Sequence, residues 1–377
     1  MGLSRYRLGD LIELCEARND DLQYGIEDVK GVSIQKIFID TKANMEGVSL
    51  NPYYLVQPDD FVYVTVTSRN GEKITLAHNV TEKTYIVSSS YIVFKVKKTD
   101  LLLSDYLFMY FNRPEFDRYS RYNSWGSARE TFDWSEMCAI EIDLPPLDIQ
   151  QKYVDVYNAM IANQQCYERG LEDLKLAFDA LIDNYKHSSE KKNVYSILKE
   201  VDSRNVDESI TDVQGINITK QFMPSVANTN GVDISKYKIV KKGQFAFSGM
   251  QTGRDKCIRI ALFDKDEPVI ISPAYSVFEM KDNTVLAEYI MMWFSRKEVD
   301  RLGWFASDAS IRTNLDMERF YEMEIPIPSI EIQQSIVNIY KVYLQRKAIN
   351  ERLKEQIKSI CPILIKGSLE EARKKEV

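Results

Sequence analysis

The 377-residue chain contains only two histidines, His78 and His187, so a metal centre built on imidazole is not expected. Its five cysteines (Cys15, Cys138, Cys166, Cys257 and Cys361) are odd in number, scattered, and never spaced Cys-x-x-Cys. They read as reduced thiols rather than as a disulfide frame or a zinc site. No apolar run reaches the roughly 18 residues of a membrane helix, and no secretory or lipidation pattern is seen. The expectation is a soluble, cytoplasmic chain with no membrane partner. A compact basic run is also missing. Net charge is −7, made of −6 over 1–147, −4 over 148–190, −1 over 191–330 and +4 over 331–377. That balance speaks against gripping nucleic acid by charge alone.

What the chain has instead is two long stretches poor in proline and glycine. From Asp148 to Lys186 there is no Pro, and Gly170 is the only Gly. Apolar residues recur at Ile149, Tyr153, Val156 and Met160, pause at Asn163 and Tyr167, and resume at Leu171, Leu174, Phe178, Leu181 and Tyr185. This is the seam of a helix packed on another helix. At 1.5 Å per residue it extends about 50 Å, and it needs a partner along its length. The partner is in the same chain. Leu144-Pro145-Pro146-Leu147-Asp148-Ile149-Gln150-Gln151 recurs 183 positions later as Ile327-Pro328-Ser329-Ile330-Glu331-Ile332-Gln333-Gln334. The second seam runs Ile332, Ile336, Ile339, Tyr343, Arg346, Asn350, Leu353, Ile357, Ile360, Leu364. Antiparallel pairing is expected, with Tyr153 by Ile360, Val156 by Ile357 and Leu174 by Ile339. A polar layer, Asn163 by Asn350 and Tyr167 by Arg346, should interrupt it midway.

The segments ahead of these helices repeat as well. Asp28-Val29-Lys30-Gly31-Val32 matches Asp212-Val213-Gln214-Gly215-Ile216. Phe61 and Tyr63 match Phe245 and Phe247, and Tyr91, Val93 and Phe94 match Tyr275, Val277 and Phe278, all at an offset of 184. From Tyr106 and Tyr289 onward the offset is 183, carrying Arg113 to Arg296, Ser127 to Ser310 and Arg129 to Arg312. The domains read as 1–147 and 191–330, with helical segments 148–190 and 331–377. Strand-like runs mix with helices in each copy, which gives an α+β class. The loops diverge: Arg69-Asn70-Gly71 in one copy, Gln251-Thr252-Gly253-Arg254-Asp255-Lys256 in the other. A shared scaffold with different loops suggests two sites of one kind that read different things.

This layout resembles the specificity (S) subunit of Type I restriction-modification systems. The resemblance covers nearly the whole chain. It rests on Ser127-Ala128-Arg129 and Ser310-Ile311-Arg312, each followed by a proline-bearing segment and a Gln-Gln-led long helix. The second copy departs in having Ala309 before Ser310, and one Pro on either side of Ile327. The resemblance implies two target-recognition domains joined by two antiparallel helices forming a coiled coil. It implies a non-catalytic chain that reads a bipartite double-stranded DNA target and holds two DNA adenine methyltransferase subunits and restriction/translocase subunits. No cofactor is implied for this chain; S-adenosylmethionine belongs with the methyltransferase, and ATP and Mg with the restriction partner. The candidate DNA contacts are Arg69, Asn70, Lys73, Arg113, Arg118, Arg121, Tyr122, Ser127 and Arg129 in the first copy. In the second they are Gln251, Thr252, Arg254, Lys256, Ser310 and Arg312. Arginine can pair bidentately with guanine or grip phosphate, and Asn and Gln suit adenine.

Parts of the sequence bear on two other function classes. Asp264 with Glu279-Met280-Lys281 has the spacing of a metal-dependent nuclease, but the first copy has Lys95-Val96-Lys97 at the equivalent strand. Asn51-Pro52-Tyr53-Tyr54 lacks the second proline of an amino-methyltransferase motif, and Gly249 and Gly253 do not make a phosphate loop. A protein-binding coiled-coil scaffold is the remaining alternative.

Overall fold

The computed structural model describes residues 3–41, 43–68, 73–127, 129–186, 189–225, 231–308 and 313–375. Contacts divide the chain into two units, 1–166 with 349–377, and 167–348. Each unit therefore takes part of both long helices, Leu147–Lys186 and Ile330–Lys374.

The first unit is built on an antiparallel sheet ordered Ile12–Leu14, Tyr91–Val96, Phe61–Val64, Leu76–His78. Phe61, Val62 and Tyr63 are all buried, because both faces of this strand are covered. Phe61, Tyr63 and Phe94 face a core shared with the helices Ser104–Phe111 and Pro114–Tyr122 and with the start of the central long helix. Val62 and Val93 face a smaller core with Val56 and Val87. Ser4–Arg7 pairs with Glu141–Leu144, just ahead of the proline pair.

The second unit repeats this plan. Its sheet runs Leu198–Val201, Ser276–Met280, Phe245–Ser248, Arg259–Leu262, and Phe245 faces Phe278 as Phe61 faces Phe94. Phe245, Phe247 and Phe278 look toward the helices Ala287–Phe294 and Lys297–Ala306, and Ala246 and Val277 toward the opposite core. The α+β class and the duplication thus stand as structure.

The long helices are antiparallel within each unit, but in a register other than the expected one. In the first unit Tyr157 lies against Cys361 and Tyr153 lies over Gly367. In the second, Phe178 meets Tyr340 edge-on at 5.8 Å. Tyr157–Cys361 and Phe178–Tyr340 are the two copies of one contact, since 183 positions carry Tyr157 to Tyr340 and Phe178 to Cys361. The helices are displaced by about five residues from the pairing read off the sequence, and the seam is rotated. Val154, Tyr157 and Ile182 are buried, whereas Val156 is 45% exposed. Val154 and Tyr157, three residues apart on one helical face, take the seam, and Val156 falls outside it. The midway polar layer is present: Gln164 Nε2 donates to Asn350 Oδ1 at 3.0 Å, with both side chains buried. Asn350 lies where expected, but its partner is Gln164 rather than Asn163.

Candidate nucleic-acid interface

In the first unit the strand Phe61–Val64 continues into Thr65 and Thr67, which lead to the loop holding the candidates Arg69 and Asn70. Those two residues, like Ser310 and Arg312, lie outside the described residues. Phe132 N donates to Thr65 O at 2.8 Å, and Thr67 N to Glu130 O at 2.9 Å. These bonds bring the strand end against a loop closed by Trp125 and Thr131, whose backbones exchange hydrogen bonds of 3.0 and 2.9 Å. Ser127 and Arg129 stand exposed within it. Gly126 makes the loop possible. Its φ is +134°, and a Cβ there would sit 2.3 Å from Arg129 O. Gly126→Ala should therefore destabilise by about 1–3 kcal/mol, seen as a lower unfolding midpoint and as loss of loop protection in hydrogen exchange.

The other first-unit candidates do not all reach this surface. Lys73 is exposed just beyond the undescribed loop, and Arg118 is exposed, 3.7 Å from Glu115. Tyr122 is bare at the end of its helix. Arg121 is held by Glu130, which ties the helix end to the loop. Arg113 is partly buried; its Nε donates to Tyr110 O at 3.1 Å and its guanidinium lies 3.8 Å from the Tyr110 ring centroid. Its counterpart Arg296 is buried, bonding Asp179 and Asp183 of the central helix at 2.8 Å each. Position 113/296 holds the fold together more than it faces outward.

The second unit closes its loop in the same way. Asp308 N donates to Asn314 O at 2.9 Å, and Leu315 N to Gly249 O at 2.8 Å. Gln251 and Lys256 take left-handed backbone angles, φ 59° and 50°, around the helical turn Thr252–Asp255. Arg254 is exposed, Lys256 lies 4.7 Å from the Trp304 ring centroid, and Gln251 N donates to Asn314 Oδ1 at 3.0 Å. Thr252 is wholly buried and its hydroxyl donates to Gly249 O at 3.0 Å. It fastens the turn, and its side chain has no open face for a ligand. The nuclease constellation is dispersed: Glu279 pairs with Lys199 at 2.8 Å, and Lys281 sits 4.2 Å over the Tyr195 ring centroid. Among the described residues no group of three or more His, Cys, Asp or Glu could hold a metal ion, and no helix is long and apolar enough to cross a membrane. The described cysteines are free; burial pushes the Cys15 thiol up to about 12 and that of Cys361 to about 11.

Two constellations escaped the sequence reading. Lys36 Nζ pairs with Asp117 at 2.8 Å, and Lys220 Nζ with Asp300 at 2.6 Å. Each lysine also donates to the last carbonyl of a helix, Phe111 O or Phe294 O, from a backbone with φ 62°. Each aspartate accepts from a backbone N–H where the divergent loop rejoins the sheet, Ile74 N at 3.3 Å or Ile258 N at 3.0 Å. The repeat offsets carry Lys36 to Lys220 and Asp117 to Asp300, so the signal was in the sequence. The same offset carries Arg118 to Arg301 and Tyr122 to Phe305, both exposed and both unremarked in the second copy.

A model of the Type I restriction modification DNA specificity domain matches residues 5–173 and again residues 185–359. The chain belongs to this family. As a Type I specificity chain, its function is DNA target recognition for a restriction-modification system. No curated protein matches it by sequence. Among solved structures, it is similar to the Type I restriction-modification S subunit from M. genitalium, at 10% identity and a TM-score of 0.56, over 99% of this chain and 96% of that one. At that identity the likeness is one of fold. The HsdS subunit from Thermoanaerobacter tengcongensis aligns over 98% of this chain and 96% of that one, at 13% identity and a TM-score of 0.40.

Proposed function

We propose that domains 1–147 and 191–330 each read one half of a bipartite target in double-stranded DNA, and that the helical segments 148–190 and 331–377 carry the assembly surface. The chain performs no chemistry. It holds two DNA adenine methyltransferase subunits, which bind S-adenosylmethionine, and restriction/translocase subunits, which use ATP and Mg, in the cytoplasm. The observation that carries this reading is the loop closed at Trp125 and Thr131, and again at Asp308 and Asn314, beside the divergent loop of each unit. One scaffold offering two different loop surfaces fits two different half-sites. The reading contacts fall to Arg69, Asn70, Lys73, Ser127 and Arg129 in one half, and to Gln251, Arg254, Lys256, Ser310 and Arg312 in the other. A net charge of −7 fits a chain whose partners supply much of the phosphate grip.

Arg129→Ala in the assembled methyltransferase tests this. If Arg129 reads a base, discrimination at one position of one half-site falls by about 1–3 kcal/mol and the other half is unchanged. If it binds phosphate, affinity falls equally for all sequences and the salt slope drops by about one. Mapping methylated adenines in cells carrying each variant shows which half is relaxed. Unchanged affinity, specificity and methylation in both Arg129→Ala and Arg312→Ala would overturn the assignment.

A further inference from the structure

In each unit one aromatic ring stands almost bare next to the closed loop. Tyr122, the last residue of its helix, is 80% exposed, and Phe305, at the matching place 183 positions on, is 86% exposed. Four residues earlier, on the same helical face, each unit exposes an arginine, Arg118 or Arg301. Three residues later the loop closes, at Trp125 with Thr131 or at Asp308 with Asn314. Phe61, Phe94, Phe245 and Phe278, by contrast, are wholly buried. An open ring loses the stabilisation that burial would give, and here it recurs in two copies whose neighbouring loops have diverged.

Resting on the reading of the chain as a two-site DNA reader, we propose that Arg118 with Tyr122, and Arg301 with Phe305, form a second kind of contact in each half-site. The arginine takes a backbone phosphate, and the ring packs against the face of a base at a step that the duplex opens by partial unstacking. Every base has a π-face, so such a contact is tolerant of sequence and adds affinity to whatever the loops read. An apolar wedge at a base step costs unstacking, which the added contact offsets. Pyrimidine–purine steps open most readily, so the contacted step should favour TA or CA. The cation one helical turn from each ring matches a polyanion better than an apolar groove. The competing occupant is a protein side chain, since Phe305 also borders a cavity of about 500 Å³ with Trp293, Leu302 and Met323.

The test uses the chain assembled with its methyltransferase on duplexes that carry the mapped target, with 2-aminopurine placed step by step across both half-sites. The wild-type complex should raise fluorescence at one step in each half besides the adenine that the methyltransferase flips out. Tyr122→Ala should abolish that additional rise in the first half only, and Phe305→Ala in the second only, with the signal at the flipped adenine kept. Each should weaken binding about 5- to 150-fold, the loss of one stacked base. Tyr122→Phe should keep both signals, and Arg118→Ala and Arg301→Ala should each lower the salt slope by about one. Native mass spectrometry should show unchanged methyltransferase stoichiometry in every variant. Wild-type behaviour of both alanine variants overturns the proposal while leaving two-site reading intact. Loss of a methyltransferase subunit from either variant also overturns it, and assigns the ring to protein docking. Failure of the wild-type complex to protect a bipartite target removes the two-site reading, and this proposal with it.

Discussion

Lys36→Met should destabilise the first unit by about 3–5 kcal/mol, and Lys220→Met the second by a similar amount, the usual cost of breaking a buried ion pair from one side. The lysine side chains are 4% and 6% exposed and their aspartates 14% and 19%. Methionine fills the space of the lysine stem but leaves Asp117 or Asp300 as an uncompensated charge and frees the carbonyl at a helix end. The pair is not a simple source of stability. Burial lowers the Lys36 pKa, and Asp117 only partly offsets it, so the interior disfavours this charge on balance. Lys36→Met/Asp117→Asn, which keeps an acceptor for Ile74 N, should therefore regain much of the lost stability. It should not restore DNA specificity in the first half-site, because the tie between turn, helix end and loop base is gone. Chemical unfolding gives the first quantity and methylation mapping the second. A double variant with normal specificity would reduce the pair to a packing element.

The sequence revealed a great deal here because the chain is its own comparison. Offsets of 183 and 184 located equivalent strands, helices and loops without any homologue, and the structure keeps those equivalences down to the Phe61–Phe94 and Phe245–Phe278 pairings. Side-chain direction was less legible. Apolarity alone placed Val156 in the helix seam, whereas Tyr157 and Gln164 occupy it, Gln164 with its amide paired inside to Asn350. The same difficulty hid the Lys36–Asp117 pair, since lysine and aspartate read as surface residues until a partner is seen. At the candidate interface, residue type pointed to Arg113 and Thr252, but their local bonds turn both toward the fold. Arg301 and Phe305 were legible only through the repeat, since the offset that carries Arg113 to Arg296 also carries Arg118 and Tyr122 to them.

Gln150→Leu should cost the first unit about 3 kcal/mol or more, and Gln333→Leu the second unit as much, from about 1–3 kcal/mol for each buried polar group left unpaired. The Gln-Gln pair that marks both long helices splits into two unlike roles. Gln150 is wholly buried. Its Nε2 donates to Leu101 O and Pro145 O at 2.8 Å, and its Oε1 accepts from Leu103 N at 3.0 Å. Gln333 repeats this with Thr284 O at 3.3 Å, Pro328 O at 2.9 Å and Leu286 N at 2.9 Å. One amide thus ties the start of a long helix to the segment that launches the helix Ser104–Phe111 or Ala287–Phe294, and these helices lead to the arginine-bearing ones. The second glutamine only reaches along its own helix, Gln151 to Asp155 at 2.7 Å and Gln334 to Asn338 at 3.0 Å. Gln151→Ala should accordingly change stability by less than about 0.5 kcal/mol. Gln150→Glu is the sharper probe. A carboxylate keeps the acceptor for Leu103 N but faces two carbonyls with no hydrogen to give, so at neutral pH this variant should be less stable than Gln150→Leu. Its carboxyl would have a folded-state pKa raised above the unfolded value, so its stability should be regained as pH falls and that oxygen takes up a proton. Unfolding midpoints of the three variants across pH decide the matter, and a Gln150→Glu chain as stable as the Gln151→Ala chain at neutral pH would mean that the buried amide is not the clamp described.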